Sequence, residues 1–128
     1  MDTPELINVI ADCAKEVRKH LTPGFEEKVY KNAMFIELRD KGLCIETEVP
    51  FNVVYKNMIV GSYKADMIIN RCVIVELKAT NAIVPINEVQ LVNYLTATGI
   101  NDGLLINFGS EKIEIRHRTR LYKPKSRF

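Results

Sequence analysis

Residues 71–80 read RCVIVELKAT, an apolar run that ends by setting Glu76 and Lys78 two positions apart. A strand repeats every two residues, so these two side chains share a face, about 6–7 Å apart along the chain. Cys72 and Ile74 precede them on that face, and Val73, Val75, Leu77 and Ala79 take the other. Earlier, Asp66 stands between Ala65 and Met67, near the end of another apolar segment. A hairpin over residues 59–79 places Asp66 beside Glu76 on adjacent strands. Two carboxylates and a lysine gathered there suit a hard divalent cation. Mg²⁺ (or Mn²⁺) takes oxygen ligands, commonly one or two carboxylates, with waters and phosphate oxygens completing its shell. Such an ion lowers the pKa of a bound water and neutralises charge building on a phosphoryl group. The lysine would hold that water or stabilise the pentavalent transition state as a compact point charge. The plain alternative is a salt bridge that seals a strand end, and Glu-x-Lys alone fits it well. Asp66 tips the balance, because two acids against one base leave negative charge that a cation would satisfy.

The rest of the chain must carry these groups. Thr3 followed by Pro4 reads as an N-cap and first helical position. Leu6, Ile10, Cys13, Ala14 and Val17 then recur at helical spacing, so residues 4–20 are expected to be an amphipathic helix. Thr22-Pro23-Gly24 repeats the start signal, and a second helix should run to about Lys41, with Phe25, Val29, Ala33 and Ile36 on one stripe and Gly42 stopping it. From Ile45 to Tyr55 the period changes to two, which predicts a long strand, and Pro50 within it points to an edge position or a bulge. Lys56-Asn57-Met58 turns into a second strand, Ile59 to Ile69, and Asn70-Arg71 into a third, 72–79. A helix over about 86–98 should bring Val89, Val92 and Leu95 to the core and end at Gly99. Gly103–Phe108 and Lys112–His117 complete the set as strands. The order α-α-β-β-β-α-β-β describes one α/β (α+β) domain over residues 1–117, followed by a basic tail, 118–128.

Composition bounds the function. With 128 residues, 47% apolar and 27% charged, the chain is large enough for a hydrophobic core without disulfides or structural metal. Cys13, Cys44 and Cys72 are odd in number and sit in apolar patterns, so they read as reduced core thiols of a cytoplasmic protein. No CxxC pair occurs and His20 lies far from His117, which argues against zinc. No signal-peptide pattern opens the chain, and no apolar run reaches membrane length. GxGxxG, Walker, GxSxG and HExxH motifs do not occur either, removing support for nucleotide, acyl-transfer and zinc-protease chemistry. The net charge of +2 hides an asymmetry: Lys112, Arg116, Arg118, Arg120, Lys123, Lys125 and Arg127 face Glu114 alone, on an otherwise acidic chain. Such an end either solubilises or meets a polyanion, and Tyr122 among the cations could stack on a base.

The stretch Gly24-Phe25-Glu26-Glu27-Lys28-Val29-Tyr30 fits a GxxExxY pattern, and Asp66 with Glu76-x-Lys78 looks like the signature of the PD-(D/E)XK nuclease superfamily. The chain thus resembles the GxxExxY family of that superfamily. The likeness continues through ELRDKGL, VELKA, QLVNYL and GLLINFG, and covers roughly residues 15–117. It implies a restriction-endonuclease-like core with a mixed central sheet flanked by helices. It further implies that Asp66 and Glu76 bind the metal, with the Leu77 carbonyl as an added ligand, and that Lys78 positions or activates the attacking water. Glu27 would be an additional acid near the metal, and Gln90 would approach from the later helix. On the residues alone, Glu27 is an ordinary helix-surface acid, while Gln90 and Tyr94 are four apart on a helix flank. The chain departs from the pattern at Ala65, where the superfamily's name calls for proline at a position that supplies no ligand.

The expectation is a divalent-metal-dependent nuclease, with DNA the favoured substrate, hydrolysing phosphodiesters by metal-activated water. Lys64, on the face of Asp66, and Arg116, Arg118, Arg120 and Lys123 are the expected nucleic-acid contacts. A homodimer would let so small a domain cut both strands. Two rivals remain: a nuclease-like fold used only to bind nucleic acid or protein, and a purely structural charge cluster.

Overall fold

A computed structural model describes residues 1–121. Asp2 opens the first helix, α1 (Thr3–His20); its carboxylate accepts from the Glu5 N–H at 2.9 Å, and Pro4 lies in the first turn. The cap is Asp2 and not Thr3, because an ionised carboxylate is the stronger acceptor at the positive end of a helix. Leu6, Ile10, Cys13, Ala14 and Val17 form the buried stripe.

The second helix starts later than Thr22-Pro23-Gly24 suggests. Gly24 turns the chain at φ +119°, a conformation open mainly to glycine, and α2 runs Glu27–Asp40. Its buried stripe is Tyr30, Met34 and Leu38, whereas Phe25 and Ile36 are exposed and Val29 and Ala33 only half-buried. Tyr30 explains the rotation. Its ring stacks on Phe108 at 4.9 Å, while its hydroxyl donates to the Thr22 carbonyl (2.6 Å) and accepts from the Phe25 N–H (3.2 Å). A tyrosine whose polar end is satisfied outcompetes aliphatic residues for the interior.

Strands β1 (Ile45–Tyr55) and β2 (Met58–Ile69) form a long antiparallel hairpin turned at Lys56 and Asn57, both at positive φ. β3 (Val73–Lys78) returns antiparallel to β2, and α3 (Pro85–Thr98) crosses to β4 (Asp102–Asn107), which is parallel to β3. β5 (Glu114–Thr119) pairs antiparallel with β4. It begins two residues later than expected, since the Ser110 hydroxyl donates to the Lys112 carbonyl and keeps that segment in a turn. The mixed sheet has the order β1-β2-β3-β4-β5, so Pro50 lies on an edge strand, and the β1–β2 register shifts between Val53 and Val54. This is the α+β order read from the sequence.

The sheet separates two apolar layers. On one face α1 and α2 pack over Met67, Ile69, Val73, Val75, Leu77, Leu104, Ile106 and Phe108. On the other, Leu91 and Leu95 of α3 meet Ala65, Ile68, Ile74 and Leu105. The residues of α3 buried here are Leu91, Val92 and Leu95, with Val89 only half-buried. Gly103 sets this: a Cβ there would lie 2.8 Å from Leu91 Cδ1, so Leu91 fills the space that glycine leaves and draws α3 onto β4. Cys13 is the core thiol expected, but Cys44 is exposed and Cys72 half-buried. Cys44 lies just before β1, where its N–H is taken by the Asn70 side chain at 2.8 Å. No helix among the described residues is long and apolar enough to cross a membrane.

Candidate active site

β2 and β3 pair regularly from Ile69↔Val73 to Met67↔Val75. One step further, Asp66 and Glu76 stand opposite each other and the ladder is replaced by side chains. Glu76 Oε2 accepts from the Asp66 N–H at 3.0 Å, and Asp66 Oδ2 accepts from the Leu77 N–H at 2.9 Å. On the other side of Asp66, the β1 register runs through Thr47↔Met67 and Val49↔Ala65, with Glu48 between them at φ 50°. Asp66 therefore sits where both neighbouring ladders are interrupted. Its carboxylate reaches the Leu77 N–H of β3, and Lys31 of α2 pairs with Glu48 at the irregularity.

A cleft of about 100 Å³ opens at this point, and Glu27, Lys64, Asp66, Glu76, Lys78 and Gln90 all line it. The first turn of α2 brings Glu27, β2 brings Lys64 and Asp66, the end of β3 brings Glu76 and Lys78, and α3 brings Gln90. Three acids face two lysines. Asn87, Tyr94 and Leu105 complete the wall. Gln90 Nε2 donates to the Tyr94 hydroxyl at 3.1 Å, which orders both side chains at the rim.

The electrostatics follow from burial. Glu76 is only 8% exposed. Its carboxyl is pushed up to about 9, first by loss of solvent and then by the Asp66 charge and a hydrogen bond between the two carboxyls. The Asp66 N–H and Lys78 pull the other way and do not offset it. Glu27 is raised as well, by burial and then by Asp66, against Lys78 and Lys31. The Tyr94 phenol is raised by burial and by Glu76. A site that strains against negative charge in this way is one a cation would relax.

The donor set fits Mg²⁺ or Mn²⁺ in a particular manner. Among the described residues no three His, Cys, Asp or Glu side chains gather tightly enough to hold an ion by themselves. Asp66 and Glu76 stand together, and Glu27 lines the same cleft. One or two carboxylates with waters and phosphate oxygens is the ordinary provision for Mg²⁺.

Among the described residues, Lys64 is the one expected nucleic-acid contact that lines the cleft. Arg116 lies near Glu88 (3.7 Å) and Glu114 (3.4 Å), and Arg118 is held by Glu88 at 2.6 Å. Arg120 is exposed just past β5, its N–H donating to the Asn101 carbonyl at 2.8 Å. Lys123 lies outside the described residues, as does Tyr122. Arg118, the first residue of the expected tail, is a strand residue of β5.

Sequence reasoning did not single out the support behind Lys78. Asn107 is fully buried; its carboxamide accepts from the Thr80 N–H (3.0 Å) and Gly109 N–H (3.1 Å) and donates to the Thr80 carbonyl and Glu114 (2.9 Å each). Glu114 also accepts from the Ile83 N–H at 3.0 Å, and these hydrogen bonds, led by Asn107, hold its carboxyl low. The clamp fixes the chain leaving Lys78. An asparagine closing the apolar run LLIN was its one signal.

A family model described as the PD-(D/E)XK nuclease superfamily matches residues 4–119. The crystal structure of SSO0001 is similar with a TM-score of 0.59 and 17% identity, covering 75% of this chain and 50% of that one. The chain thus spans half the length of that protein, and at this identity the likeness concerns the fold alone. A search of curated proteins finds no match.

Proposed function

The chain belongs to the PD-(D/E)XK nuclease superfamily, and on that premise we propose that it is a divalent-metal-dependent nuclease cleaving phosphodiesters of nucleic acid, with DNA the favoured substrate. The observation that carries the reading is the meeting of Asp66, Glu76 and Lys78 in one open cleft, with Glu27 and Gln90 on its walls.

Asp66 and Glu76 would hold Mg²⁺ or Mn²⁺ with the Leu77 carbonyl, and Glu27 would act through water. The bound ion would supply an activated water and neutralise charge on the phosphoryl group. Lys78, half-buried on the same cleft, would direct its ammonium to the attacking water or a non-bridging phosphate oxygen. Lys64 offers a second cation to the flanking phosphate. Gln90, ordered by Tyr94, positions the substrate at the rim.

The narrower GxxExxY membership gains a physical rationale from the same geometry. Gly24 makes the turn, Glu27 faces the cleft one turn later, and the Tyr30 hydroxyl ties residues 22 and 25 together behind it. A cytoplasmic setting is supported by three thiols that form no disulfide.

Purified protein with Mn²⁺ should cleave at least one of a panel of single-stranded, branched and duplex DNA and RNA substrates, and Lys78→Ala should abolish it. Nucleic acid bound but never cut, in either metal, would point instead to a binding module on a nuclease fold.

A further inference from the structure

Beside the cleft runs a groove of about 770 Å³ between the β1–β2 hairpin and α3. Gln90 and Tyr94 line both cavities, so the groove adjoins the candidate phosphate site. Its character is different. Among the described residues no Lys, Arg, Asp or Glu lines it; Asn52, Asn93 and Gln90 supply amides, and Tyr63, Tyr94 and Val54 supply flat or apolar surface. Tyr63 is 47% exposed, and with Phe51 and Tyr94 it forms an aromatic cluster with ring centroids 4.8–6.0 Å apart. Asn52 Oδ1 accepts from the Ser62 hydroxyl at 2.9 Å, which orders that amide on the hairpin.

Resting on the nuclease reading, we propose that this groove receives an unpaired nucleobase adjacent to the scissile phosphate, so that the substrate class is single-stranded or locally unpaired nucleic acid. Charge divides the two cavities as it divides a nucleotide. The lysines and any cation lie in the cleft where a phosphodiester belongs, and the uncharged groove accepts what carries no charge. Amide side chains match the donor and acceptor edges of a base, and tyrosine faces match its π surface. A base inside a duplex has its faces stacked and its pairing edge occupied, so it must leave the helix to enter such a groove. The groove's volume is within the range of sites that enclose small planar ligands.

The test pairs cleavage with binding. In Mn²⁺, a strand that is single or carries a mismatch should be cut at least about tenfold faster than the same sequence fully paired, the scale that one stacked base supplies. Separately, the uncleaving Lys78→Ala protein is titrated into a short single strand carrying one 2-aminopurine. Fluorescence should be quenched on binding, and both Tyr63→Ala and Asn93→Ala, made in that background, should weaken binding about tenfold and restore emission. Both residues are exposed, and a circular-dichroism melt of each variant verifies folding. Quenching in a protein that cuts nothing would sink the catalytic reading and support the base subsite. Equal cutting of paired and unpaired strands, or unquenched binding unaffected by both variants, would overturn the subsite and leave the nuclease reading standing.

Discussion

Replacing Glu76 with glutamine should make the metal-free protein more stable at neutral and alkaline pH while removing its metal site. Glu76 is 8% exposed and its carboxyl is pushed up to about 9 from an ordinary 4.5. Because the folded value is the higher one, folding favours the protonated form. That contribution is complete below the ordinary carboxyl range and is lost as pH rises through about 9. Between about pH 5 and pH 8 the unfolded carboxyl is ionised and the folded one is protonated, so each pH unit costs up to ~1.4 kcal/mol. The wild type should therefore lose on the order of 4 kcal/mol relative to Glu76→Gln across that interval. The carboxamide is isosteric: its oxygen can still accept from the Asp66 N–H, and its NH₂ can donate to the Asp66 carboxylate. Urea denaturation in EDTA at several pH values measures the difference. Adding Mn²⁺ at about pH 8 should restore the wild type and leave the variant unchanged. Parallel pH profiles for the two proteins would refute the electrostatic reasoning.

Lys78→Ala or Asp66→Asn should lower cleavage by at least about a hundredfold with an unchanged circular-dichroism spectrum; near-wild-type rates in either would remove that residue from the chemistry. Mn²⁺ affinity, followed by calorimetry, should rise as pH approaches 9, by up to about tenfold per unit, because Glu76 must release its proton to bind. A flat profile would mean the ion binds without that carboxyl. Asn107→Ala should cost about 2–3 kcal/mol in urea denaturation, since it strands the Thr80 and Gly109 N–H groups and takes the donor from the Thr80 carbonyl. A loss within experimental error would show that the clamp is dispensable. Tyr30→Phe should cost about 1 kcal/mol through the Thr22 carbonyl, and an unchanged midpoint would assign that bond no weight.

The order of elements was legible because the hydrophobic period changes cleanly along the chain, from helical before Gly42 to alternating after Ile45. The Asp66–Glu76 meeting was legible for a similar reason: an apolar hairpin with a short turn leaves little choice of register. What escaped prediction depended on single contacts across the fold. Periodicity put Val29 on the buried stripe of α2, whereas Tyr30 takes that place because Phe108 stacks on it from a distant strand. Leu91 displaced Val89 because Gly103, twelve residues on, has no side chain. The basic residues after Lys112 looked like one patch, yet Arg116 and Arg118 turn to Glu88 on α3, a partner that charge counting does not locate. The Asn107 clamp was hidden because a buried amide is defined by the backbone groups it satisfies, and those come from another loop.

The most direct test is a crystal structure of the protein soaked in Mn²⁺ with data collected at the manganese edge. An anomalous peak is expected in the cleft, held by the Asp66 and Glu76 carboxylates, the oxygen donors that would hold the ion. A fully soaked crystal with no peak in that cleft would contradict it.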